Sequence, residues 1–423
     1  MESLTLLRLL ALYVVLTSLE RLTGSGALRA AVNAFGVAMP LMMVAYFAMR
    51  GTRLELPLGL LRAYGVLVVA LVLSVLMAGL YDTADLIKIL LAPLFAFLGY
   101  SAPAFDREDR DAVRHLRIVS AVLLLPLLYA FMLNLGASDG DALGIFANRN
   151  NAALYLVVLS NVLFLMGASV GVVVVTLTVG ALMFSTLGVV IAVILGLMVS
   201  LSVRRYLPAY LGAVALGAFL VFGPIELPIA ERLARLAEGV GAITSLGLWT
   251  ELANLSYADL YIITGENSDL SLFFRIKHWE DLLLAWSTHG WVNVLFGLGI
   301  GSAPFHTDIG LVPHNDYVRF LVEAGPLALV GFVSVTGWLL WSIGRKALLM
   351  STAAVAIYFS TENLVGNFAA MTLYYWFAGY WARHAAQASA VAAQGGRASG
   401  PVGVEPEIAS RTVVSSADLA RDP

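Results

Sequence analysis

The chain has 423 residues, of which 60% are hydrophobic and 13% charged, with a net charge of −3 and no cysteine. Soluble domains carry about 25% charged residues, so a water-soluble fold is excluded. The missing cysteines exclude disulfides and thiol chemistry, and no basic cluster points to a nucleic-acid partner.

A membrane helix needs roughly 20 mostly apolar residues to cross about 30 Å of hydrocarbon. Read with that length, the chain predicts an all-α, polytopic membrane protein with about twelve transmembrane helices. The expected spans lie near 4–19, 28–49, 58–80, 84–103, 116–135, 150–167, 169–184, 187–202, 206–224, 317–344, 347–362 and 367–383. The first contains Arg8 and no small-residue cleavage site, so it reads as a retained helix and not as a signal peptide. The stretch from Gly167 to Ser202 is taken as two spans, with one long helix as the alternative.

Arginine and lysine fix the expected orientation, because cytoplasmic loops carry the excess of both. With the N-terminus inside, those loops hold Arg50 and Arg53, then Arg107, Arg110, Arg114 and Arg117. They continue with Arg204, Arg205, Arg345, Lys346 and Arg383, against Arg21 and Arg29 on the other side. Both termini are therefore expected in the cytoplasm. Residues 1–224 form helices one to nine, 225–316 an outer segment, 317–386 helices ten to twelve, and 387–423 an Ala-, Gly-, Ser- and Pro-rich disordered tail.

The outer segment of roughly 90 residues is too long for a passive connection. Glu226 to Leu236 reads as an amphipathic helix. Phe273 to Trp286 reads as another, with Phe274, Trp279, Leu283 and Trp286 on one face. His278, His289, His306 and His314 all fall here, and histidine is the side chain best suited to general acid–base work near neutral pH.

His314 follows Pro313 where the chain re-enters the membrane, at the depth of a lipid-linked substrate's polar end. The competing role for His314 and Asn315 is to cap helix ten. Arg275 offers a planar fork for a phosphate, against the alternative of an interfacial snorkelling cation. Arg149 starts helix six, where the helix N-terminus favours an anion. Lys88, Asp85, Arg319 and Glu323 lie just inside spans, where ionisable groups are costly. Arg319 and Glu323 are spaced to pair with each other. The run Phe296 to Gly301 lacks the strand and helix of a nucleotide loop and reads as a tight, backbone-close turn. No metal site is expected, since His306 and Asp308 have no partners in a ligand pattern.

Asn148 to Asn151, Arg275 with Trp279, Leu295 to Gly301, Pro313-His-Asn-Asp-Tyr317 and Glu323-Ala-Gly325 occur in this order. Their order and spacing resemble the O-antigen ligase and polymerase superfamily, which includes Wzy-type polysaccharide polymerases and WaaL-type ligases. The resemblance implies a metal-independent glycosyltransferase of the bacterial inner membrane, working on the periplasmic face without a cofactor. Its donor would be an undecaprenyl-diphosphate-linked oligosaccharide, with membrane lipid around it and a chain-length regulator or flippase as protein partner.

The resemblance further implies that His314 is catalytic and that Arg275 engages the diphosphate; Arg149, Lys88, Asn315 and Arg319 are expected, from their own positions in the chain, to be further substrate contacts. Phe184 to Gly188 lacks the arginine that many members carry at a comparable turn, and Arg149 is the candidate substitute. Polymerase is the favoured reading and ligase the alternative. A lipid or sugar transporter is the alternative from another class, expected to show broken helices and paired charges near mid-membrane.

Overall fold

The computed structural model describes residues 2–134, 142–146, 148–184, 186–200, 211–212, 215, 228–264, 271–344 and 348–397. The protein is all-helical, at 79% helix with no strands among the described residues. Helices α1 to α9 span Glu2–Thr23, Gly26–Met49, Leu58–Ala78, Thr83–Leu91, Leu94–Ser101, Arg110–Asn134, Arg149–Leu165, Val170–Met183 and Leu187–Ser200. Helices α10 to α13 span Pro228–Ser245, Tyr257–Thr264, Ser271–Thr288 and Trp291–Phe296, and α14 to α16 span Asp316–Ile343, Leu349–Tyr358 and Phe368–Arg397.

Five helical stretches are long and apolar enough to cross a membrane: Gly26–Met49, Leu58–Ala78, Thr83–Ser101, Arg110–Asn134 and Asp316–Ile343. Their outward faces are greasy, with Leu41, Leu76 and Met132 each at least 70% exposed. Water would not tolerate apolar surface on that scale, and a bilayer requires it. The protein is membrane-embedded.

Each expected span except the one near 206–224, most of which lies outside the described residues, coincides with a helix or a helix pair. The stretch between Gly167 and Ser202 is two helices, α8 and α9. Two of these spans are interrupted internally, and the expected start of the disordered tail needs correction. The span near 84–103 is broken into α4 and α5 around Ala92 and Pro93, because proline removes a helical hydrogen bond and clashes with the preceding turn. The span near 317–344 is interrupted at Gly325, whose φ of 83° and ψ of 171° are non-helical. Pro326 follows it and disfavours helical geometry in the residue before it. Finally, α16 continues to Arg397, through the start of the stretch read as a disordered tail. Its alanines are the strongest helix formers.

The bundle packs α14 against α3, α16 against α5 and α15 against α9. Small residues allow the closest crossing: a Cβ on Gly99 would stand 2.0 Å from the carbonyl oxygen of Trp376, and one on Gly379 2.0 Å from that of Ala96. Membrane helices associate through such close backbone contacts, since lipid offers no hydrophobic driving force between them. A separate apolar cluster between α10 and α12 joins Ile243, Leu252, Leu260 and Phe273. Helix α12 thus buries Phe273, Lys277, His278 and Leu282, while the residues expected to form its apolar face are half-buried.

Candidate active site

The glycine run is the tight turn that its sequence suggests. Leu298 and Gly299 donate to the carbonyls of Val322 and Glu323, at 2.8 and 3.0 Å, just before the break in α14. A Cβ on Gly325 would stand 2.3 Å from the carbonyl oxygen of Leu295, so glycine is required by both its positive φ and its space. The Glu323 carboxylate accepts from the backbone N–H of Gly301 at 3.1 Å and Ala303 at 3.3 Å.

The same carboxylate accepts from Arg319 Nε at 3.1 Å, and Arg319 also pairs with Asp85. Lys88 Nζ meets Asp85 at 3.3 Å. Lys88 and Arg319, both expected to contact substrate, therefore belong to an ionic latch that joins α4, α14 and the glycine turn. Arg319 already faces two carboxylates with its side chain 5% exposed. Asn315 caps α14, its Oδ1 accepting from the N–H of Val318 at 3.1 Å.

The residue between them is an organiser. Asp316 is fully buried. Its Oδ2 accepts from the N–H groups of Leu364 at 2.7 Å and Val365 at 3.2 Å, and its own N–H donates to the carbonyl of Phe359 at 2.7 Å. These bonds hold the connection between α15 and α16 against the start of α14. Asn367, from the same connection, donates to Asn151 Oδ1 at 3.3 Å, on the first turn of α7.

Glu362 sits on this connection with its side chain 5% exposed. Its Oε1 accepts from Arg275 at 2.5 Å and also from the Asn150 amide. Its Oε2 lies 3.1 Å from His314 Nδ1. Three elements distant in sequence thus meet at one carboxylate: the start of α7, Arg275 on α12 and His314 at the mouth of α14. Buried charges persist only when paired and hydrogen-bonded, and Glu362 has both kinds of partner. His314 and Arg275 keep 35% and 21% of their side chains exposed. With Nδ1–H donated to Glu362, the lone pair of His314 sits on Nε2, the nitrogen free to take a proton. Arg149 opens α7 one residue before Asn150.

Of the residues named from the sequence, His314 and Arg275 converge. The motif Asn148 to Asn151 joins them through Asn150. Sequence reading missed Glu362 and Asp316. Asp316 stood in the His-Asn-Asp-Tyr motif, whereas Glu362 carried no local signal.

His278, one turn beyond Arg275, is buried, and its ring faces the backbone of Leu311 and Val312 without full hydrogen-bond geometry. Burial lowers its pKa, the Leu311 backbone opposes the shift, and nearby His314 adds to the lowering. The ring walls the segment leading to His314. His306 and His289 form an edge-on ring pair at 5.2 Å, and burial followed by the His289 neighbour lowers the His306 pKa. No contact among the described residues joins that pair to Glu362. The described residues contain no group of three or more metal-ligating side chains. No protein-family model and no curated protein matches the chain.

Proposed function

We propose that the protein is an inner-membrane glycan transferase that extends undecaprenyl-diphosphate-linked oligosaccharides on the periplasmic face, with O-antigen ligase as the close variant of the same chemistry. In this reading about twelve spans place both termini in the cytoplasm and residues 225–316 outside. The single observation that carries it is Glu362, which gathers an arginine and a histidine at one half-open point.

The chemistry divides among those residues. His314 Nε2 takes the proton of an acceptor hydroxyl as that oxygen attacks the anomeric carbon. The bond from that carbon to the diphosphate oxygen breaks, and the electron pair leaves with the lipid diphosphate. Arg275 neutralises the charge that develops there, and its planar fork matches a phosphate oxygen pair. Glu362 holds Nδ1–H, fixes the tautomer and steadies the imidazolium, the role a buried carboxylate plays behind a catalytic histidine. In the resting site Arg275 leans on Glu362. An arriving diphosphate competes for that guanidinium.

A second reading, a lipid or sugar transporter, draws on a specific observation. The break at Gly325 adjoins the charges of Asp85, Arg319 and Glu323, the kind of discontinuous helix that transporters use. The latch is nevertheless saturated by its own carboxylates and backbone donors, which suits a fixed joint better than a moving ion site. The separating experiment supplies purified protein in vesicles with a lipid-diphosphate oligosaccharide. Chain extension supports transfer, and lipid translocation without extension supports transport.

A further inference from the structure

Helices α1 and α6 pack side by side. A groove of about 330 Å³ runs between them, lined by Arg8 and His115 and then by Leu12, Val15, Ile118 and Val122. Tyr46 near the end of α2 bonds Thr5, and Glu55 just beyond α2 bonds Ser101 at the end of α5, shortly before α6, so α1 and α6 start on the same side of the bundle. Arg8 and His115 sit at one depth, each within the first two turns of its helix.

Arg8 is exposed, and no carboxylate among the described residues pairs with it. A cation in a membrane span without a counter-charge is costly and a functional candidate by default. His115 Nδ1 contacts the carbonyl of Asp111 at 2.7 Å, which leaves Nε2 directed elsewhere. Along residues 106–117 the four arginines are balanced by Asp106, Glu108, Asp109 and Asp111, so Arg8 is the cation that distinguishes the groove. Below the two polar side chains the walls are apolar and open to the outside, with Leu12 46% and Ile118 53% exposed.

We propose that this groove is a binding site for an anionic membrane phospholipid. The headgroup phosphate sits on the Arg8 guanidinium beside the His115 ring, and an acyl chain follows Leu12, Val15, Ile118 and Val122. A guanidinium fork suits phosphate, and basic pockets between membrane helices select anionic headgroups. The lipid supplies the counter-charge that Arg8 lacks. This site is independent of the glycan chemistry at Glu362.

The test uses the full chain, purified in detergent and equilibrated with phosphatidylglycerol or phosphatidylcholine vesicles. Native mass spectrometry then counts the lipid retained. Wild type is expected to retain one phosphatidylglycerol about tenfold in preference to phosphatidylcholine. Arg8→Gln with His115→Gln should abolish the preference. Val122→Trp, which fills the groove and leaves the charges, should expel the lipid, and it keeps the site testable if the double variant does not fold. Equal retention of both lipids by wild type overturns the site. So does an unchanged preference in the double variant, which would make Arg8 a cation reaching for headgroup water, and so does undiminished retention by Val122→Trp.

Discussion

Replacing Glu362 by glutamine should lower kcat and KM together. The carboxylate holds His314 Nδ1 at 3.1 Å and Arg275 at 2.5 Å. Glutamine keeps the size but loses the charge. A hydrogen bond to a charged group contributes about 1.5–3 kcal/mol, and each 1.36 kcal/mol is roughly tenfold in rate. Loss of the support behind His314 should therefore slow kcat by roughly ten- to a hundredfold, below the 10²–10⁴ that general-base catalysis supplies in full. Arg275, freed from its resting partner, should bind donor diphosphate up to roughly tenfold more tightly. The assay is initial-rate extension by purified protein at varied donor concentration, with thermal unfolding to confirm the fold. Glu362→Asp, which keeps the charge but shortens the reach, should lose kcat without the gain in donor affinity. An unchanged kcat in Glu362→Gln, or a raised donor KM at full kcat, would refute the shared-carboxylate mechanism.

Arg275→Lys should be impaired nearly as much as Arg275→Ala, because a lysine cannot reproduce the fork; full activity with lysine in the extension assay would reduce the role to generic charge. Asp316→Ala strips the N–H groups of Leu364 and Val365 of their acceptor. It should cost about 1–3 kcal/mol per buried group left unpaired, read as a lower thermal midpoint with activity lost as Glu362 shifts. Gly325→Ala should destabilise the bundle by at least 1–3 kcal/mol, roughly the cost of a strained φ, since its Cβ would stand 2.3 Å from the Leu295 carbonyl; an unchanged midpoint would contradict the packing of the glycine turn. For topology, the cysteine-free chain permits single-cysteine labelling. Residue Asn254 should label from outside, and Arg107 and Arg204 only after permeabilisation.

The all-helical, membrane-embedded class of the fold was legible because length and hydropathy announce membrane helices without tertiary information. The breaks were less so. Pro93 and Gly325 with Pro326 are visible in the sequence, but membrane helices tolerate such residues when neighbours satisfy the freed groups, so proline alone does not decide. At the candidate site His314 and Arg275 stood out through residue type and position. Glu362 did not, because only the folding of α15 and α16 against α7 and α12 brings it to them. Arg319 and Lys88 looked like substrate contacts for a sound reason, the cost of charge in a span. The sequence spacing could show Glu323 as a partner but not Asp85, which arrives from α4.

The most direct test of the account is chain extension by purified His314→Asn and His314→Ala proteins, reconstituted in vesicles with a lipid-diphosphate oligosaccharide and read on a gel. If His314 Nε2 moves the proton, both variants stay folded and membrane-bound, and single lipid-linked repeats accumulate unextended. Extension near the wild-type rate by His314→Ala would remove this histidine from the mechanism and contradict the assignment of Glu362 as the carboxylate behind it.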